Sequence, residues 1–187
     1  KAFLYSALIS SGPWLLSILS LAFLGLISPL LLQEHGWSLQ NWEIFGAAVV
    51  YVFLFSLLIT GLVNLVVSRY IADKIYLHDQ DAISSTYTSL LIVVMFIQGV
   101  IGFVFFLSTG GELNFALGVI TLYITISCIW IALIFLSILE NYKSIMLIYF
   151  LGSVLSIAAA LLGGMWFDIA GFLWGFTAGQ AFIFMGF

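Results

Sequence analysis

The sequence predicts an all-α integral membrane protein with six transmembrane helices. Of its 187 residues, 64% are hydrophobic and 6% are charged, whereas soluble domains carry about one quarter charged residues. The charges fall in tight groups, and the runs between them reach the roughly 18 to 20 residues that cross about 30 Å of hydrocarbon as a helix. The predicted spans are residues 2–33, 44–68, 82–111, 113–139, 144–167 and 169–187.

The first span carries a signal for a helix break near its start. The run 2–33 is longer than one straight crossing needs and too short for two crossings with a turn. Ser10, Ser11, Gly12 and Pro13 follow one another in it. Because proline has no N–H and clashes with the preceding turn, we predict that the helix breaks or kinks at this point.

The basic residues predict the orientation in the membrane. With six spans, Lys1, Arg69, Lys74 and Lys143 all fall on one face and no Lys or Arg falls on the other. Lys and Arg accumulate on the cytoplasmic side, so we predict a cytoplasmic N-terminus. The loop 33–43 would then lie outside, with Trp37 and Trp42 anchoring it at the interface.

Several function classes are excluded or disfavoured. A net charge of −4 argues against a nucleic-acid partner, which requires clustered basic residues. The sequence has no phosphate-binding Gly-x-x-x-x-Gly-Lys-Ser/Thr loop, no His-Glu-x-x-His and no Gly-x-Ser-x-Gly motif. Every carboxylate lies at a span end or in a loop. We therefore expect a non-enzyme with no catalytic residue, no metal site and no cofactor.

Polar residues inside the spans are the candidates for a transport path. In lipid, such side chains turn toward other helices or a water-filled path. Ser56, Thr60, Asn64 and Ser68 recur every four residues, which predicts a polar stripe on one face. Hydrogen bonding between helices is the alternative for each candidate. The predicted path residues are Ser10, Ser11, Gly12, Pro13, Asn64, Gln98 and Gln180.

Small residues in the last two spans predict close helix packing. Gly, Ala and Ser at every fourth position let two backbones approach each other in lipid. The fifth span has Gly152, Ser156, Ala160 and Gly164, and the sixth has Gly171, Gly175 and Gly179. We assign Gly152, Ser156, Gly171, Gly175 and Gly179 to packing.

The segment after the second span is predicted to be a cytoplasmic loop that contacts a protein partner. Its charged residues are Arg69, Asp73, Lys74, Asp79 and Asp81. The alternative is a short solvated loop whose charges pair with one another.

Four segments together resemble the PelG family of exopolysaccharide transporters. They are SSGPWLLSILSL (10–21), NLVVSRYIADKIY (64–76), ENYKSI (140–145) and GFTAGQA (175–181). The resemblance implies a member of the superfamily that includes the multidrug (MATE) antiporters and oligosaccharide flippases, with about twelve helices in two lobes. Residues 1–187 would form the N-terminal lobe. The chain begins without Met and ends inside its sixth span, so we expect the C-terminal lobe to lie beyond it.

The resemblance also implies a function and partners. We expect translocation of a Pel-like, N-acetylhexosamine-rich exopolysaccharide across the bacterial inner membrane. The expected partners are membrane lipid, the cytoplasmic glycosyltransferase PelF and the membrane subunits PelD and PelE. Two alternatives stay open: an ion-coupled small-solute antiporter like the multidrug transporters, and a noncatalytic scaffold for a glycosyltransferase. The first span lacks the membrane carboxylate through which many such antiporters couple to ions.

Overall fold

The computed structural model describes residues 2–31, 38–77, 80–109, 112–138 and 142–187, and its regular structure within them is entirely helical. Four of its five helices contain windows long and apolar enough to cross a membrane, and α1 has a shorter apolar part, Leu15–Leu31. The all-α membrane class is thereby confirmed. The helices are α1 (Ala2–Leu31), α2 (Leu39–Tyr76), α3 (Gln80–Thr109), α4 (Leu113–Ile138) and α5 (Tyr142–Gly186).

Helix α1 is continuous, so of the predicted break or kink at residues 10–13 the break is wrong, and the kink stays a prediction. The helix passes through both Pro13 and Pro29. The Ser17 hydroxyl donates a hydrogen bond to the Pro13 carbonyl at 3.0 Å. Prolines are tolerated in membrane helices because neighbouring helices and Ser or Thr side chains satisfy and support the altered backbone. The excess length of the first apolar run therefore lies within one helix.

Helix α2 extends beyond its predicted span at both ends. Ser38 caps its start, since the Asn41 N–H donates to the Ser38 hydroxyl at 3.2 Å. Trp42 and Glu43, predicted to lie in the outer loop, are therefore helical. At the other end the helix continues to Tyr76, because residues 62–76 contain no glycine or proline that would stop it. The rest of the predicted outer loop, residues 33–37, lies outside the described residues.

Helix α5 folds back on itself. Its 45 residues would measure roughly 67 Å if straight, about twice the hydrocarbon thickness. Phe167 and Asp168 have non-helical backbone angles, and Asp168 has a φ of 52°. This break falls between the predicted fifth and sixth spans. Helix α5 contains both of these predicted spans. The described residues therefore hold five helices, and six separate spans stay a prediction.

The two arms of α5 pack antiparallel through small residues. A Cβ added at Gly171 would overlap the Gly163 carbonyl, and one at Gly175 would overlap the Ala159 carbonyl. Further from the turn, Gly179 lies against Ser156. Residue numbers rise on one arm as they fall on the other, so the arms form a helical hairpin whose backbones are in direct contact.

The chain divides into two compact units. The first contains Lys1–Val49 and Tyr142–Gly186, and the second contains Val50–Asn141. In the first unit, the ring of Phe45 meets Phe172 edge-on at 4.7 Å and Phe176 edge-on at 5.7 Å between centroids. All three rings are fully buried. They join the start of α2 to the second arm of α5.

The second unit is built from the remainder of α2 with α3 and α4. Its buried apolar cluster draws residues from all three helices: Val67, Ile71, Val94, Ile131, Ile134 and Phe135. Tyr87 of α3 packs edge-on against Phe135 of α4, with ring centroids 5.0 Å apart. Gly102 lets α3 approach Ile120 closely.

Adding one methyl group to the hairpin is expected to destabilise the protein. Gly175→Ala would press its Cβ into the Ala159 backbone, which has no flexible side chain to move away. We expect a loss of about 1–3 kcal/mol in unfolding free energy. The measurement is thermal unfolding of the purified full-length protein in detergent.

The matched control is Gly46→Ala in α2, where a Cβ meets nothing within 4 Å. Alanine favours a helix by about 1 kcal/mol over glycine, so this variant is expected to be unchanged or more stable. Equal unfolding midpoints for the two variants would contradict the packing of the hairpin.

Replacing the residue at the hairpin turn by glycine is expected to stabilise the protein. Asp168 combines φ 52° with ψ −147°, a region that is nearly restricted to glycine. Asp168→Gly should gain about 1 kcal/mol by relieving this strain. Asp168→Ala, which removes the charge but keeps a Cβ, should not. The same thermal unfolding assay compares them, and a similar gain for both would show that the charge, rather than the backbone, is unfavourable.

Candidate substrate path

Two of the predicted path residues in α1, Gly12 and Pro13, are buried. A Cβ on Gly12 would overlap the thioether of Met146 in the first arm of α5. Gly12 therefore lies in a contact between helices. The side chains of Ser10 and Ser11 lie outside the described residues.

The polar stripe of α2 divides into a buried and an exposed part. Ser56 and Thr60 are buried, whereas Asn64 is exposed. Four residues correspond to about 400° of helix rotation, so each step of the stripe turns a further 40° or so around the axis. The four residues consequently do not share one face, contrary to the sequence prediction.

The buried part of the stripe joins α2 to α4. The indole N–H of Trp130 donates to the Ser56 hydroxyl at 3.0 Å. That hydroxyl in turn donates to the Phe53 carbonyl at 2.9 Å. Thr60 donates to the Ser56 carbonyl at 2.6 Å. These polar groups are occupied by helix contacts, and Trp130 is a participant that the sequence analysis missed because no regular spacing marks it.

Asn64 is exposed on the surface of the second unit. Its own face of α2 carries Gly61 three residues earlier and Ser68 four residues later. A Cβ added at nearby Gly61 would meet nothing within 4 Å. The side-chain amide thus provides donors and an acceptor that a molecule outside the unit can reach.

Gln98 has the opposite environment. It lies in α3 with 0% exposure, and neither its Oε1 nor its Nε2 has a hydrogen-bond partner in the described part of the chain. Its neighbour Gly99 faces Ile124 of α4. In this conformation the amide is enclosed and cannot touch a passing polymer.

Gln180 and the predicted packing residues meet in the α5 hairpin. The Gln180 Nε2 donates to the Ser156 hydroxyl at 3.1 Å, and both residues are buried. Gly152 lies against Ile183, and Gly163, which the four-residue pattern did not include, lies against Gly171.

The charged residues after the second span are helical where the structure describes them. Arg69, Asp73 and Lys74 belong to the last turns of α2 rather than to a loop. Arg69 and Asp73 are exposed, and the Lys74 ammonium lies 5.8 Å from the ring centre of Tyr70. Lys74 also interacts favourably with the C-terminal end of the helix dipole. Asp79 and the side chain of Asp81 lie outside the described residues.

Neutral groups dominate the interior. The buried side chains with hydrogen-bonding oxygen or nitrogen atoms in the described chain are those of Ser, Thr, Gln and Tyr, all of them uncharged. Within residues 2–31, 38–77, 80–109, 112–138 and 142–187, no three His, Cys, Asp or Glu side chains are grouped to hold a metal ion.

Comparison with known proteins assigns the family. Residues 1–187 match the model of PelG, described as "Putative exopolysaccharide Exporter (EPS-E)". Neither the curated proteins nor the solved structures give a match. The family match spans the α2 surface with Asn64 as well as the α5 hairpin. The chain, an integral membrane protein, therefore belongs to the PelG family of exopolysaccharide exporters.

Proposed function

We propose that this protein translocates a Pel-like, N-acetylhexosamine-rich exopolysaccharide across the bacterial inner membrane. The observation that carries the proposal is the PelG family match over residues 1–187. The exposed amide of Asn64 supports it, because sugar hydroxyls and acetamido groups form hydrogen bonds without needing a charged partner.

In this proposal the chain is the N-terminal lobe of a two-lobed transporter. A cytoplasmic glycosyltransferase, PelF, supplies the polymer, and PelD and PelE complete the complex in the membrane. The N-terminus lies in the cytoplasm, as the distribution of Lys and Arg favours. The polymer passes along a surface of neutral hydrogen-bonding groups.

Asn64 is the residue that we propose to contact the polymer. Among the described path candidates, Gly12, Pro13, Gln98 and Gln180 are buried, whereas Asn64 is exposed. Its amide can donate to and accept from a sugar hydroxyl at the same time. An exposed amide is costly in contact with lipid, which favours a polar partner for Asn64.

Translocation is tested by protection of newly made polymer. Inverted membrane vesicles carry the full-length protein with its synthase partners and receive UDP-N-acetylhexosamine, followed by an external glycosidase. Polymer should become protected only when this subunit is present. Vesicles with the partners alone serve as the control. Polymer that is made by an intact complex and remains fully digestible would overturn translocation and favour a scaffold.

The role of Asn64 is tested in the same vesicles. Asn64→Leu is expected to lower the rate of protection about fivefold, the effect of losing about 1 kcal/mol of hydrogen bonding. Asn64→Gln should restore most of it, and Leu65→Ala, a change at an exposed apolar neighbour, should leave it unchanged. Normal export by Asn64→Leu at the wild-type protein level would rule out the contact.

A further inference from the structure

Two buried polar side chains in the second unit are not used by the packing described above. Gln98 of α3 is 0% exposed and Tyr123 of α4 is 6% exposed. The Oε1 and Nε2 atoms of Gln98 and the hydroxyl of Tyr123 have no hydrogen-bond partner in the part of the chain that the structure describes. Buried polar atoms in native proteins are nearly always hydrogen-bonded to protein or to ordered water.

The two side chains lie on the same side of one helix pair. Helices α3 and α4 are antiparallel, since Gly99 faces Ile124 and Gly102 faces Ile120. Gln98 and Tyr123 each come one residue before a contact residue of this pair. One residue turns a helix by about 100°, so each side chain points about 100° away from its contact residue. Because the two helices run in opposite directions and face each other, these two rotations bring both side chains to the same side of the interface. Their Cα atoms differ in depth by less than about one helical turn.

The chemistry of the three atoms defines the ligand that fits them. The Gln98 amide donates and accepts, and the Tyr123 hydroxyl does both as well. An apolar ligand does not fit, because it would leave all three polar atoms without a hydrogen bond. An ion does not fit, because no charged side chain is among these groups to balance it. A polymer is excluded in this conformation because both side chains are enclosed. Water donates and accepts, and it needs the two to four polar partners that this pair of residues supplies.

We propose that Gln98 and Tyr123 hold one or more buried waters at the side of the α3–α4 interface. Membrane helices commonly satisfy displaced polar groups with ordered water. This site is separate from the exposed Asn64 surface and does not depend on translocation being the function. The water site gives Gln98 a structural role in this conformation.

Hydroxyl-radical footprinting of the full-length protein in lipid nanodiscs tests the proposal. Radicals formed from a trapped water oxidise the adjacent side chain even when bulk solvent cannot reach it. Tyr123 should therefore be labelled despite its burial. In Gln98→Leu, which has no polar atom and reacts slowly with the radical, the labelling should fall about fivefold, the change in water occupancy expected from one lost hydrogen bond. Tyr149, which is 2% exposed in the other unit, is the reference and should not change.

Each outcome decides the proposal. Unlabelled Tyr123 in the wild-type protein, or unchanged labelling in Gln98→Leu, would overturn it. A rise at both Tyr123 and Tyr149 would indicate general loosening of that variant. In that case Gln98→Glu is used instead, because its carboxyl group retains hydrogen-bonding atoms. Tyr123 labelling that is retained in Gln98→Glu supports the water site, and loss of the labelling contradicts the site.

Discussion

The close backbone contact between the two arms of α5 is the constraint on which the first unit depends. Glycines 163, 171, 175 and 179 leave no side chain between the arms, so the arms approach until backbone meets backbone. The second arm can then present Phe172 and Phe176 to Phe45 at the start of α2. The bond from Gln180 to Ser156 lies within the same contact. A larger residue at these glycines would separate the arms and displace the aromatic contacts.

The polar residues of the spans follow a second constraint, the lack of water in hydrocarbon. Most buried Ser and Thr side chains bond a carbonyl of their own helix, as Ser17, Ser20, Ser127 and Thr177 do with the residue four positions earlier. These bonds need no partner helix, so such residues say little about a path. Long amides behave differently because they reach beyond their own helix. Asn64, Gln98 and Gln180 therefore have three distinct environments: exposed, enclosed and bonded across the hairpin.

Membership of the PelG family and the neutral interior are mutually consistent. An exporter of neutral sugars has to provide hydrogen bonds that are easily exchanged as the polymer advances. Uncharged amides and hydroxyls meet that need, because charged groups in lipid bind their partners tightly and are costly to expose. The charges of the chain are instead concentrated near the helix ends, as with Arg69 and Asp73 at the end of α2.

Composition and charge spacing were enough to predict the class of protein and most of the helix ends, and four sequence segments predicted the family. Charge-free runs set the ends of α1, α3 and α4 to within a few residues, because lipid excludes charge. The lone Asp168 likewise marked the turn of α5. The sequence did not reveal that α2 continues through Trp42 and Arg69, since charged residues outside the hydrocarbon do not stop a helix.

The accessibility of the polar residues depends on the packing of the helices. The spacing of Ser56, Thr60 and Asn64 looked like one stripe, yet the drift of a four-residue repeat turns Asn64 away from the buried pair. The contact of Gly163 with Gly171 depends on the rotation of one arm against the other. The pairing of Ser56 with Trp130 joins residues 74 positions apart. Such contacts depend on how helices face one another, and a sequence specifies that only through the packing of all their side chains together.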